Sequence, residues 1–162
     1  MELHDVYNRN GELTGKITVS SKTLNDGEYC LGVHAYVRNN NGEFLIQKRK
    51  ENKSFLPGAW YIHMGHVIAG ETSVDGILRE LREEIGIEFD KSDIYGSERY
   101  IADNIRYILD MYFITADFDI GDCVLQESEV SDVKLISRDD MIDLVRIMSR
   151  PDDYKQMVLD YI

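Results

Sequence analysis

Hydrophobic and polar residues alternate in several short segments of the chain, and a two-residue period of this kind predicts β-strands. The predicted strands lie at residues 30–37, 43–48, 60–64, 107–117 and 133–136. Residues 6–16 predict a hairpin with Asn10-Gly11 at its turn, within an N-terminal hairpin of about residues 3–18. The segment NNNG joins the strands at 30–37 and 43–48 and predicts a second hairpin.

A helical period appears in the middle of the chain and again at its end. The central helix places five apolar residues on one side: Val74, Ile77, Leu78, Leu81 and Ile85. Thr72 and Asp75 form a capping-box pair at its start, and Gly86 suits its end. Two further helices are expected within about residues 139–162, at 139–148 and 152–162. Strands, one helix, more strands and final helices predict an α/β fold with a mixed sheet, and a single domain over residues 1–162.

The opposite side of the central helix carries a cluster of carboxylates. Glu80, Glu83 and Glu84 stand at i, i+3 and i+4 and therefore share one face. Like charges at this spacing cost a few tenths of a kcal/mol in water and more near a core. A divalent cation removes that cost, and carboxylate oxygens suit Mg²⁺ or Mn²⁺. Gly76 lies under the same face, and we expect its missing side chain to leave room for a ligand; a merely solvated charged face is the alternative.

Composition narrows the possible partners. The 162 residues carry 18 Lys+Arg against 30 Asp+Glu, a net charge of −12, which disfavours nucleic-acid polymers and anionic membranes. Cys30 and Cys123 lie far apart, which predicts neither a disulfide framework nor a cysteine metal site. The N-terminus lacks the pattern of an export signal, so a cytoplasmic protein is expected.

The spacing around the carboxylates follows a known motif. The matching positions are Gly65, Glu71, Arg79-Glu80-Leu81, Glu83-Glu84 and Gly86-Ile87. They fill every fixed position of G-x5-E-x7-R-E-U-x-E-E-x-G-U, where U is aliphatic, over residues 65–87. Seven identities and two aliphatic residues coincide by chance less than about once in 10^8 starts. This complete Nudix box identifies the chain as resembling the Nudix hydrolase superfamily.

The resemblance implies a Nudix fold, an α-β-α sandwich with a mixed β-sheet and a loop-helix-loop catalytic motif. It implies Mg²⁺-dependent hydrolysis of a phosphoanhydride in a nucleoside diphosphate derivative or another small organic diphosphate. By the same resemblance, Glu83 and Glu84 are principal metal ligands and Glu80 is a further ligand or the base. Arg79 pairs with Glu71 and orients the carboxylates.

Residues outside the helix complete the expected site. The resemblance adds the main-chain carbonyl of Met64 and the later acid Glu129 as metal ligands. Arg49 and Lys53 belong to the one basic cluster of this acidic chain and are candidates to bind the diphosphate, as is His66 beside the box glycine. The sequence leaves a homodimer open.

Two other functions compete with hydrolysis. The N-terminal segment and the GH of the box resemble the branch that contains isopentenyl-diphosphate isomerases and their hydrolase relatives, which suggests proton transfer on an allylic diphosphate. Those isomerases carry a cysteine where this chain has Met64, and of their upstream histidines only His34 has a counterpart. The strand after the box offers Asp110 as its sole acid, so hydrolysis is favoured. A non-catalytic nucleotide-binding module is the second alternative, and it predicts a lost box carboxylate, whereas none is lost here.

Overall fold

The computed structural model of the protein describes residues 2–162, which contain nine strands and three α-helices. The strands are β1 His4–Tyr7, β2 Leu13–Thr18, β3 Cys30–Asn39, β4 Phe44–Arg49, β5 Trp60–Tyr61, β6 His63–His66, β7 Ile94–Ala102, β8 Tyr107–Ala116 and β9 Val130–Ile136. The helices are α1 Ser73–Ile85, α2 Arg138–Ile147 and α3 Asp152–Leu159. No helix in this described part of the chain combines the length and the apolar character needed to cross a bilayer.

Seven strands form one mixed sheet. Strand β3 runs parallel to β8 and antiparallel to β4 and β6. Strand β7 pairs antiparallel with β8 at one end, while β5 and β9 pair antiparallel with β4 at the other. The hairpin β1–β2 forms a separate two-stranded sheet. The predicted α/β fold with a mixed sheet is confirmed.

The sheet separates two hydrophobic cores, so the molecule is an α-β-α sandwich. On one face, Val33 and Ile114 belong to the core that contains Ile77 of α1. On the other face, Tyr36 belongs to the core that contains Tyr154 of α3 and the buried residues of α2. The period of two along β3 sends alternate side chains to the two cores. Strand β3 thereby connects α1, which carries the carboxylates, with α3 behind the sheet.

Strand β7 was not predicted from the sequence. Its residues alternate between partly buried and exposed positions, and its pairing with β8 shifts register between Ile94 and Gly96. A Cβ on Gly96 would clash with the ring of Tyr161, so the glycine is required by packing at the end of the chain. Such a contact between residues far apart in sequence leaves no local hydrophobic pattern.

Candidate active site

The central helix has the boundaries that its sequence predicts. Thr72 Oγ1 accepts a hydrogen bond from the N–H of Asp75 at 3.2 Å, and its hydroxyl donates to Asp75 Oδ2 at 2.6 Å. Gly86 ends the helix in the left-handed conformation at φ 73°. Ile77 and Leu81 are fully buried. The apolar stripe therefore fixes the rotation of α1 and directs the opposite face outward from the core.

Arg79 is the centre of the carboxylate cluster. It is only 14% exposed, and its five N–H groups meet five oxygen acceptors. Nε and Nη2 donate to Glu71 at 2.8 and 3.2 Å, Nη1 donates to Glu80 and Glu83 at 3.1 Å each, and Nη2 donates to the carbonyl of His66 at 2.9 Å. Burial alone would lower the pKa of Arg79, but the hydrogen bond to Glu71 and the charges of Glu80 and Glu71 raise it well above its usual value. The guanidinium thus stays charged behind the carboxylates.

Glu80 occupies a notch that the box glycine creates. A Cβ on Gly65 would overlap the carboxyl group of Glu80, so only glycine permits this packing. Glu80 Oε1 also accepts from the backbone N–H of His66 at 3.3 Å. The strand β6 and the helix α1 are therefore locked together at the point where the motif begins.

The expectation for Gly76 was wrong. A Cβ there would lie 3.2 Å from both Val67 Cγ2 and Glu71 Oε2, so the loop before α1 fills the space. Gly76 permits close packing of the chain on itself and provides no space for a ligand.

Glu84 is bound by Gln47 of the sheet, which is itself bound to His63. The sequence analysis selected neither Gln47 nor His63 as a site residue. Gln47 Nε2 donates to Glu84 Oε2 at 2.9 Å, and Gln47 Oε1 lies 3.1 Å from His63 Nδ1. Because the amide nitrogen faces Glu84, the amide oxygen faces His63, whose Nδ1 must carry the proton. Gln47 is completely buried, and a polar residue inside the apolar strand FLIQ is the sequence signal that could have identified it.

The three carboxylates occupy different environments. Glu83 is 45% exposed, whereas Glu84 is only 5% exposed. Burial raises the pKa of Glu84 to about 7, against the opposing effect of the Gln47 hydrogen bond. Burial likewise raises the pKa of Glu80 to about 7, although Arg79 opposes it. Burial therefore disfavours the ionised form of two of the three glutamates.

A cleft of about 940 Å³ opens beside the carboxylates and brings most of the predicted site residues together. The predicted residues that line it are Glu80, Glu83, Glu84, Glu129, Arg49, Lys53, His66 and Met64. Glu71 and Arg79 support the cluster from behind and do not line the cleft. Lys53 forms an ion pair with Glu129, and Arg49 Nε donates to the carbonyl of Phe55 at 2.8 Å. Both basic side chains therefore stand at the cleft wall.

The carboxylate oxygens of Glu80, Glu83 and Glu84 are ligands that suit a hard divalent cation, but their present orientation differs from that of a metal site. Within residues 2–162, no three His, Cys, Asp or Glu side chains converge closely enough to hold a metal ion. The reason is visible in the cluster, since Glu80 Oε1 and Glu83 Oε2 are turned toward Arg79. Glu83 is exposed enough to turn, and the oxygens of Glu80, Glu83 and Glu84 are the ligands that Mg²⁺ prefers.

Other titratable residues of the sheet have hydrogen-bond partners of their own. His63 and His34 are buried and hydrogen-bonded to Gln47 and Tyr154, respectively. Asp110 is 5% exposed and accepts two hydrogen bonds from Arg99, at 2.6 and 2.8 Å. Burial raises the pKa of the Cys30 thiol to about 11, which makes it a poor nucleophile.

Comparison with known proteins agrees with this geometry. Residues 28–158 match the family model described as the NUDIX domain. An uncharacterized Nudix hydrolase of Listeria monocytogenes, lmo0368, is 35% identical over 142 residues, which cover 87% of this chain and 83% of that protein. An isopentenyl-diphosphate Delta-isomerase of Corynebacterium diphtheriae is 35% identical over 82 residues, which cover 50% of this chain and 45% of that protein. The crystal structure of DR0079 from Deinococcus radiodurans shares the fold, with a TM-score of 0.69 over 99% of both chains at 20% identity.

Proposed function

Because this chain belongs to the Nudix hydrolases, we propose that it uses Mg²⁺ to hydrolyse a phosphoanhydride bond in a nucleoside diphosphate derivative or another small organic diphosphate. The observation that carries the proposal is the single cleft that Glu80, Glu83 and Glu84 line together with Arg49 and Lys53. Oxygen ligands for a cation and basic groups for phosphate oxygens then lie within one site.

The residues that would hold Mg²⁺ are Glu83 and Glu84, with Glu80, Glu129 and the carbonyl of Met64 as further ligands; Mn²⁺ suits the same oxygens. When bound, the ion supplies charge neutralisation of the phosphoryl oxygens and activation of the attacking water.

The protein's own groups position the reaction. Arg79 holds Glu80 through Oε1, which leaves Oε2 of Glu80 for a metal ligand or for the proton of the attacking water. Gln47 holds Glu84 toward the cleft. Arg49 and Lys53, which line the same cleft, bind the oxygens of the diphosphate, Arg49 through its planar guanidinium and Lys53 as a point charge.

The isomerase function remains the second candidate because the chain resembles an isopentenyl-diphosphate Delta-isomerase over half its length. Two observations weigh against it. Met64 lines the cleft at the position of the isomerase cysteine, and its thioether cannot transfer a proton. Asp110 is paired with Arg99. The expectation that it is the sole acid of the strand after the box was wrong, because Asp110 lies in β8 and the strand directly after the box is β7, whose Glu98 accepts a hydrogen bond from Tyr161.

A substrate panel tests the proposal. The protein is incubated with Mg²⁺ and ADP-ribose, UDP-glucose, a dinucleoside tetraphosphate or isopentenyl diphosphate, and products are separated by chromatography. We expect release of a nucleoside monophosphate or phosphate from at least one nucleotide, and loss of at least about a hundredfold in kcat for Glu83→Gln. Glu88→Gln is the matched control, since Glu88 is exposed just beyond α1 and has no hydrogen bond or ion pair among residues 2–162.

The alternatives give different results in the same assay. Rearrangement of isopentenyl diphosphate without hydrolysis would assign the isomerase function. Nucleotide binding without turnover would assign the binding module. Full turnover in Glu83→Gln would show that the carboxylate cluster is not the catalytic site.

A further inference from the structure

A buried histidine of strand β3 lines the same cleft as the carboxylates of α1. His34 lies in β3 and is only 3% exposed, yet it borders the cleft together with the apolar side chains of Leu109, Tyr107 and Phe55. These apolar side chains border the same cleft as the carboxylates, and we expect the group attached to the diphosphate to extend along them. A polar side chain buried at such a wall needs a partner for each nitrogen.

One nitrogen of His34 belongs to a chain of buried hydrogen bonds. His34 Nδ1 lies 2.7 Å from the hydroxyl of Tyr154, which lies 2.8 Å from the hydroxyl of Tyr36. Both tyrosines are fully buried. Tyr36 comes from the same strand as His34, and Tyr154 comes from α3.

The direction of this chain follows from counting donors. If His34 Nδ1–H donated to Tyr154, then Tyr154 would donate to Tyr36, and the hydroxyl of Tyr36 would have no acceptor, since residues 2–162 offer it no other hydrogen-bond partner. A buried donor without an acceptor costs about 1–3 kcal/mol. In the opposite direction Tyr36 donates to Tyr154 and Tyr154 donates to His34, so both hydroxyls are satisfied. Burial raises the pKa of both tyrosines, so both hydroxyls keep the protons that this direction requires.

The second nitrogen of His34 must then carry the proton. A histidine whose Nδ1 accepts a hydrogen bond has its N–H on Nε2. Nε2 has no partner in the described part of the chain, and unlike Nε2 of His63 it is not sealed from solvent, so it opens onto the cleft. An Nε2–H group also has no lone pair for a metal ion.

Arg150 offers a second donor in the same region. It lines the cleft. Its Nε is sealed from solvent without a hydrogen-bond partner among residues 2–162, so the terminal Nη groups are the donors that can reach a ligand. Its guanidinium lies 5.6 Å from the ring of Tyr154 and 5.8 Å from that of Phe55, so two aromatic rings hold it in place.

We propose that His34 is a substrate-binding residue that donates its Nε2–H to an oxygen of the organic group attached to the diphosphate, and that Tyr36 and Tyr154 fix it in this form. The inference rests on the proposed function and adds a specificity to it. A nucleoside or sugar supplies oxygen acceptors to His34 and Arg150. A hydrocarbon tail has no oxygen acceptor and displaces water from the site, so the N–H groups of His34 and Arg150 would stay unpaired. We therefore expect prenyl diphosphates to bind more weakly than nucleotides.

Binding measurements with and without an organic group test this proposal. ADP-ribose, UDP-glucose, isopentenyl diphosphate and inorganic pyrophosphate are titrated by calorimetry in Mg²⁺. We expect a nucleotide to bind wild type more tightly than pyrophosphate does, and we call the ratio of these two affinities the nucleotide gain. His34→Leu should reduce the nucleotide gain roughly tenfold to a hundredfold. His34→Gln is the matched control, because its amide nitrogen takes the place of Nε2 and should retain the gain. Pyrophosphate affinity should be the same in all three proteins.

The tautomer gives an independent readout. Two-bond ¹H–¹⁵N spectra of the wild type should show His34 protonated at Nε2, and Tyr154→Phe should weaken this preference and part of the nucleotide affinity. An Nδ1–H tautomer in wild type would overturn the proposal. An unchanged nucleotide gain in folded His34→Leu would also overturn it, as would pyrophosphate or Mn²⁺ binding that depends on His34. Failure of wild type to bind even pyrophosphate with Mg²⁺ would refute the proposed function itself, whereas pyrophosphate binding with no gain from any nucleotide would refute only the role of His34.

Discussion

We expect the buried carboxylate of Glu84 to lower the free energy of unfolding when no divalent ion is bound, and Glu84→Gln to raise it. The side chain is 5% exposed and accepts one hydrogen bond in the described structure, from Gln47. Glutamine keeps the shape and an oxygen acceptor for that hydrogen bond but removes the charge. The substitution therefore separates the effect of the buried charge from the effect of packing.

The magnitude follows from the pKa. Burial raises the pKa of Glu84 from 4.5 to about 7, and at 1.4 kcal/mol per pKa unit the ionised form is destabilised by roughly 3 kcal/mol at most. Because the pKa is raised in the folded state, the protonated carboxyl group stabilises the fold below pH 4.5, and this stabilisation is lost as the pH rises through about 7. The variant should thus exceed wild type by up to about 3 kcal/mol at pH 8.5 and by less than about 1 kcal/mol at pH 5.

Urea unfolding followed by circular dichroism, at both pH values and without divalent ions, measures this difference. In thermal melts it corresponds to a rise of up to about 10 °C at pH 8.5 for a chain of this size. Added Mg²⁺ should stabilise wild type by RT ln(1 + [Mg²⁺]/Kd) and the variant by much less. The exposed control Glu88→Gln should change none of these values. A variant less stable than wild type at pH 8.5, or a gap that does not narrow toward pH 5, would refute the reasoning.

Three further substitutions test the supports of the site. Arg79→Lys keeps the charge but not the five donors, and it should lower the free energy of unfolding by about 2–4 kcal/mol in urea titrations. A loss under about 0.5 kcal/mol would show that the five hydrogen bonds of Arg79 do not hold the carboxylate cluster together. Gly65→Ala forces its Cβ into Glu80, and we expect at least a tenfold fall in kcat at unchanged secondary structure, while unaltered kinetics would argue against the notch. Gln47→Leu removes the hydrogen bond to Glu84 and should raise the Mg²⁺ concentration for half-maximal activity several-fold; an unchanged Mg²⁺ profile would show that Gln47 does not position the ligand.

Local sequence patterns predicted those parts of the molecule that depend on local spacing. The helix α1, its Thr72 cap and its Gly86 end follow from residues within a few positions of one another. The pairing of Arg79 with Glu71 was implied by the motif, and the structure shows both hydrogen bonds.

The features that sequence reasoning missed depend on contacts across the fold. Gln47 reaches Glu84 over a separation of 37 residues, and Tyr154 reaches His34 over 120. Gly76 was misread for the same reason, because the helix wheel shows which face it occupies but not that Val67 packs against that face. A periodic pattern identifies a face, while the partner of that face is set by topology.

The same distinction explains why three glutamates at i, i+3 and i+4 differ so much in environment. Their spacing gives them a common direction, but α1 packs with one edge against the sheet, so Glu84 is buried beside β4 while Glu83, one residue earlier, stays 45% exposed. Arg79 joins Glu80 and Glu83 through a single nitrogen, Nη1, and so offsets their repulsion without an ion. A cation that binds this face must compete with Arg79 for Glu83, the carboxylate that burial restrains least. Glu80 and Glu84 are already held in place by β6 and β4, so the conformational cost of assembling the site falls on one exposed side chain.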